Sequence, residues 1–148
     1  MEVPMIKDLR LIDPSMGIAG GSFKSTIFKN DGTDELSICL RNLSLADYAE
    51  KCIGHFNSMP DDMVDEICSS IVKCCEQGGI NKDFELPKIK KSKDILEYCW
   101  FFELTVDIPQ NDEVSYLVEG EGDWGEIIGI VIKNGHPCYV GSNYGEYL

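Results

Sequence analysis

Residues Ile127 to Val140 read IIGIVIK, then NG, then HPCYV. A β-branched run ends at Asn134-Gly135, the dipeptide that most readily takes two consecutive residues to positive φ, and a second apolar run follows at once. The pattern predicts a hairpin of strands Ile127 to Lys133 and His136 to Val140, and so an antiparallel sheet near the C-terminus.

Outward from this hairpin, Val114 to Glu119 (VSYLVE) and Trp100 to Val106 (WFFELTV, ended by Pro109) have the same aromatic and β-branched character and read as further strands. Asp94 to Cys99 reads as a helical turn ahead of them, helix continuing through Trp100 being the alternative. Lys82 to Lys93 holds Lys82, Lys88, Lys90, Lys91 and Lys93 with Pro87 and reads as a solvated linker.

Before the linker the period changes from two to about 3.6. Leu45, Tyr48, Ala49, Cys52, Ile53 and Phe56 line one face of a helix over 44–58, with Ser44 and Asp47 placed as an N-cap and its partner. Pro60 with Asp61 and Asp62 then starts a second helix; Met63, Ile67, Cys68, Ile71 and Cys75 mark its buried face, and Gly78-Gly79 stops it. Two helices joined so closely predict an antiparallel pair.

In the N-terminal third, Ser22 to Lys29 and Glu35 to Arg41 flank the turn formers Asn30 to Asp34, which predicts another hairpin. Asp13-Pro14-Ser15 and Gly17 to Gly21 break regular pattern, leaving one short strand and a loop in the first 21 residues. Gly20-Gly21 lacks the GxGxxG or GxxxxGK[ST] spacing of a phosphate loop. The predicted fold class is α+β: an antiparallel β-sheet with a pair of antiparallel helices packed on one face, in a single domain over residues 1–148.

Charge sets the functional expectation. Twenty-six Asp and Glu against 13 Lys and Arg give a net charge of −13 on 148 residues. Such a surface repels phosphate backbones and anionic lipid and attracts basic proteins, so the partner expected is a basic protein, with no nucleic acid and no membrane. The acidic, proline-containing start is unlike a secretory signal, and no apolar run approaches the ~20 residues of a membrane span. Seven unpatterned cysteines (Cys39, Cys52, Cys68, Cys74, Cys75, Cys99, Cys138) suit a reducing compartment, so a cytoplasmic protein with buried free thiols is expected.

Motifs of catalysis and metal binding are weak. His136 and Cys138 stand two apart on a predicted strand, the spacing that would place an imidazole and a thiol on one face, but next to a hairpin turn where histidines are usually solvated. Cys74 and Cys75 point about 100° apart on a helix and no CxxC or HExxH occurs. Glu119, Glu121, Asp123 and Glu126 alternate with glycine but lack the D-x-[DN]-x-[DN]-G calcium pattern. No metal, no cofactor and no enzymatic activity are expected.

The same acids read better as a contact surface: a loop carrying Glu119, Glu121, Asp123 and Glu126 around Trp124, a residue type enriched in interface hot spots. Packing of Trp124 beneath the loop is the competing reading. Asp61, Asp62 and Asp65, with Glu66, form a second acidic group, part of which is helix-start chemistry.

The stretch Gly122-Asp123-Trp124-Gly125-Glu126-Ile127-Ile128-Gly129-Ile130, with Val131 to Gly135 and Tyr139-Val140-Gly141, resembles a family of small bacterial domains. In that family a strand ends at an Asp-Trp-acid-Glu-His-Gly turn and leads into a hairpin closing on Val-Gly; here Ile127 and Ile128 replace the histidine. Small acidic α+β domains of this kind are similar to immunity proteins of bacterial toxin systems, including contact-dependent growth inhibition. The resemblance implies a cytoplasmic immunity protein that binds and neutralises a cognate toxin. The alternatives are a small enzyme or ligand-binding domain, with a pocket between helices and sheet using His136, Cys138 or the carboxylates, and a scaffold module.

Overall fold

The computed structural model describes residues 4–77, 89–109 and 113–148. Strands β1 (Lys7–Asp13), β2 (Ile18–Lys24) and β3 (Glu35–Leu40) form a meander. Helices α1 (Ala46–Asn57) and α2 (Asp61–Gln77) follow, and β4 (Cys99–Val106), β5 (Tyr116–Gly122), β6 (Ile127–Lys133) and β7 (His136–Gly141) complete a seven-stranded sheet in sequence order. The class is α+β, as the sequence predicts.

The sheet is not wholly antiparallel. Among the described strands only β3 and β4 run parallel, because the two-helix crossover between them returns the chain to the end where β3 began. The layout is not clearly that of a packed helix pair: the backbone of α2 runs close to a 3-10 turn at Ser92–Glu97 and to β7. With a whole sheet face to cover, each helix buries its apolar stripe on strands.

Those stripes are the predicted ones in the main, with Val64 added and Leu45, Tyr48 and Met63 only partly buried. Ala49, Cys52, Ile53 and Phe56 of α1 and Val64, Ile67, Cys68, Ile71 and Cys75 of α2 are buried at helical spacing. They meet Phe23, Ile38, Leu40, Phe101, Leu104, Val118 and Ile130, which point inward from β2 to β6. At the centre Phe56 stacks on Phe28 (ring centroids 5.4 Å apart) and meets Phe23 and Tyr116 edge-on at 6.1 and 6.0 Å.

Several boundaries move from the sequence expectation. Ser44 does not cap α1: a 3-10 turn at Leu43–Leu45 precedes the helix and is capped by Asn42, whose side-chain oxygen accepts from the Ser44 amide at 2.9 Å, and α1 itself starts without a side-chain cap. Gly20 and Gly21 lie inside β2, not in a loop, because β1 crosses so closely that a Cβ on Gly21 would fall 2.6 Å from the Lys7 carbonyl. β2 therefore ends at Lys24, and Ser25 to Asp34 becomes a longer connection that buries Phe28, with the Ser25 hydroxyl donating to the Phe28 carbonyl. Of the lysine-rich stretch and the Gly78-Gly79 stop, residues 78–88 lie outside the described residues.

The Asn134-Gly135 hairpin forms as predicted, both residues at positive φ (55° and 76°). Beyond β7 the chain turns back in a 3-10 turn at Tyr144–Tyr147 and packs on β6 and β7 over the sheet face opposite the helices.

Candidate functional site

The main departure from the sequence reading is at the acidic loop. Glu119 and Glu121 lie in β5, and only the short turn at Asp123–Glu126 joins it to β6. In the run Glu119-Gly120-Glu121-Gly122 the glycines face inward and the glutamates outward. A Cβ on Gly120 would sit 2.3 Å from the Trp100 carbonyl, and one on Gly122 would sit 2.5 Å from the Trp124 ring. The alternation is thus a strand signal, with period two.

Strand register lays out the outer face in rows. Ser37, Glu103, Glu119, Gly129 and Gly141 form one row from β3 to β7, and Cys39, Thr105, Leu117, Val131 and Tyr139 form the next. On the other side of the first row, Trp100, Glu121 and Ile127 are aligned across β4, β5 and β6. A bulge at Phe102, between the Phe101 and Glu103 pairings, returns Glu103 to the outer face.

Glu103 and Glu119 are direct cross-strand partners. Partial burial, then the Glu119 charge, raise the Glu103 pKa above its ordinary 4.5, with the Thr105 hydroxyl at 3.5 Å opposing weakly. Burial and the same two carboxylates raise the Cys39 thiol. Glu119 is held from the other side: the Tyr144 hydroxyl donates to its Oε2 at 2.7 Å, with the Tyr144 ring seated over Gly129. Burial and this carboxylate push the Tyr144 pKa up to about 12.

The raised Glu103 pKa fixes a sign. An acid whose folded pKa exceeds its unfolded value costs stability at neutral pH, and the cost fades as pH falls through the folded pKa toward 4.5. Glu103→Gln is therefore expected to stabilise the protein at pH 7 by about 0.5 kcal/mol, the scale of opposed like charges on a sheet. The gain should shrink on acidification; urea titrations at pH 7 and near pH 4.5 check it, and equal gains at both would refute it.

The other predicted contact residues are dispersed. Trp124 is 1% exposed, so its side chain is a core residue and not an exposed anchor; its indole N–H donates to Glu126 Oε1 at 3.0 Å. Glu126 thereby serves the turn, while the exposed Asp123 donates its amide to the Tyr98 carbonyl at 2.8 Å. Asp61, Asp62 and Asp65 are exposed at the start of α2, in the helical layer on the opposite face from Glu119 and Glu121. Each has a local partner: Lys93 on Asp61 (3.3 Å), the Met63 amide on Asp62 (2.9 Å) and the Ser92 hydroxyl on Asp65 (3.4 Å). The two acidic groups therefore do not merge into one patch.

His136 and Cys138 are exposed on edge strand β7. The histidine built into the structure is His55, with Nε2 2.9 Å from the Gly135 carbonyl and Nδ1 2.7 Å from the Tyr116 hydroxyl. A carbonyl only accepts, so Nε2 carries a hydrogen and donates to it, while Nδ1 is hydrogen-bonded to the Tyr116 hydroxyl. His55 thus ties α1 to β5 and the last hairpin. The interface between helices and sheet, where a pocket was the alternative expectation, is filled by the buried side chains named above. A depression of about 750 Å³ lies instead at the rim, lined by Tyr48, Asp107, Leu117, Val131, Lys133 and Leu148 among others.

The cysteines are free thiols; burial raises Cys52 to about 11 and Cys68 and Cys99 to about 12, which keeps them protonated and inert. Among the described residues no group of three or more His, Cys, Asp or Glu is placed to hold a metal ion. Among them, too, no helix is long and apolar enough to cross a membrane.

The model of a family described as "Domain of unknown function (DUF6985)" matches residues 22–148. The chain belongs to that family. The match begins within β2 and takes in both helices, the outer-face carboxylates and the C-terminal turn of this DUF6985 member, while β1 precedes it. No curated protein and no solved structure matches the chain.

Sequence reasoning missed Glu103, Trp100 and Tyr144. Glu103 was legible as the one acid inside WFFELTV, but its partner across the sheet follows from register and the bulge.

Proposed function

We propose that this DUF6985 protein is a cytoplasmic, non-enzymatic inhibitor: an immunity protein that binds and neutralises a basic bacterial toxin domain, such as a nuclease of a contact-dependent growth inhibition system, through its acidic surface. The observation that carries the reading is the net charge of −13, with carboxylates held on ordered elements at Glu103, Glu119 and Glu121 and at Asp61, Asp62 and Asp65. A cationic cleft evolved for a phosphate backbone is complementary to such a surface, which would speed encounter and reject neutral partners. Asp123 and Glu126 extend the acidic border, and Trp124 supports their turn from within.

The test is capture of the tagged protein from its own cells at about 0.15 M and about 1 M salt, because exposed charge pairs are screened at the higher concentration. The expected result is one basic protein, depleted at high salt, that arrests growth when expressed alone and is harmless when co-expressed with this chain. A captured protein that is harmless alone, or no captured protein, would overturn the proposal. A ligand-binding domain is the second reading, favoured by the rim depression, and a small molecule retained after purification would support it.

A further inference from the structure

The helices cover one face of the sheet, and the C-terminal turn covers part of the other over β6 and β7. Among the described residues the outer face of β1 to β3 is open and carries the exposed Lys7, Arg10, Glu35 and Ser37; a second, partly open region is the start of β4 with the facing part of β5 and the adjoining start of β6, short of the buried Leu117 and Val131. This second region carries Trp100, Glu121 and Ile127 in one row and Glu103 beside Glu119 in the next. We infer that this surface is where an arginine- or lysine-bearing segment of the basic partner docks, placing a cation between Glu103 and Glu119 and its apolar stems on Trp100 and Ile127. The inference rests on the reading of the chain as a binder of a basic protein.

Three observations carry it. First, Glu103 and Glu119 oppose each other with Ser37, Thr105, Leu117, Cys39 and Gly129 around them in register and the Tyr144 hydroxyl on Glu119, none of which is a cation. The cations aligned with these rows, Lys7 and Arg10, are on β1, about 14 Å from β4 at ordinary strand spacing. The free protein thus keeps a like-charge pair at a cost, and a cation supplied from outside removes it. Second, the row beside that pair is apolar at both ends: Trp100 is half-buried and Ile127 is 53% exposed. Exposed Phe102 lies at the adjoining bulge. An arginine can rest its methylenes and guanidinium plane on an indole while pairing with a carboxylate. Third, charge selects the occupant: a second copy would set these carboxylates against their own kind, and nucleic acid is repelled. Strands β4 and β5 are each paired on both edges, so the segment lies across the face and adds no strand.

The test is an amide and indole NMR titration of the full chain, at about 0.15 M salt, with a synthetic alternating Arg-Val octapeptide, and with the Glu-Val octapeptide as control. The Arg-Val peptide is expected to shift the Trp100 indole and the Ile127 and Gly129 amides first. In the variant carrying both Glu103→Gln and Glu119→Gln, binding should weaken about tenfold, or about 1.4 kcal/mol. The variant carrying Asp61→Asn, Asp62→Asn and Asp65→Asn should stay within about twofold of wild type, since its changes lie outside the site. The glutamine variant should melt no lower than wild type, which separates lost binding from lost fold. Shifts centred on residues 61–65, or spread equally over both acidic groups, would overturn this docking surface and leave the basic-partner proposal standing. No binding of either peptide would overturn the inference and weigh against the proposal as well.

Discussion

Trp124→Ala is expected to lower the unfolding free energy by about 4 kcal/mol, in the range measured for large aromatic residues removed from cores. The indole is 1% exposed, its ring edge lies where a Gly122 Cβ would stand, and its N–H is satisfied by Glu126 Oε1 at 3.0 Å. Truncation would empty the space under the β5–β6 turn and leave Glu126 without that donor. Urea unfolding measures the loss, and Trp124→Phe, which keeps most of the volume but not the N–H, should recover about half of it. A loss below about 1 kcal/mol would mean that the ring is not part of the core. The result decides a functional question too: an exposed hot spot would lose binding while keeping stability, whereas a turn support loses stability first.

What the sequence made legible divides by range. The β6–β7 hairpin was readable because Asn134-Gly135 is a local conformational requirement, met at φ 55° and 76°. The apolar faces of α1 and α2 were readable because helical periodicity is local as well. Their arrangement was not: whether two successive helices pair or spread over a sheet depends on the area the sheet offers, which is fixed by strands distant in sequence. The acidic loop was misplaced for a compositional reason. Glycine and glutamate are poor strand formers by propensity, yet Glu119 to Gly122 is strand, paired with β4 and β6 where Phe101 and Trp124 leave no room for side chains at Gly120 and Gly122. The eight predicted contact residues are dispersed: Glu119 and Glu121 on the outer face, Asp123 and Glu126 at the turn, Trp124 in the core, and Asp61, Asp62 and Asp65 at the start of α2. The pairing of Glu103 with Glu119 depends on a single bulge at Phe102, which one sequence does not announce.

The fold's stability and its proposed binding surface lie on opposite sides of one sheet, so they should respond to mutation independently. Phe56→Ala tests this from the inner side, with an expected loss of about 4 kcal/mol from cavity formation and broken aromatic pairs. Phe56 is fully buried where α1 meets the sheet, stacked on Phe28 and edge-on to Phe23 and Tyr116. Its neighbour His55 holds Tyr116 and the Gly135 carbonyl, so slack at Phe56 should loosen the last hairpin before the N-terminal meander. Hydrogen exchange should register this as faster opening of β6 and β7. Below its melting transition, however, Phe56→Ala should bind the basic peptide as wild type does, because no outer-face side chain touches the cavity. Exchanging Glu103 and Glu119 for glutamine should do the reverse, holding or raising stability while binding falls. If Phe56→Ala weakened peptide binding in the fully folded protein, the two faces would be coupled through the sheet, and the outer face could not be treated as a rigid, independent surface.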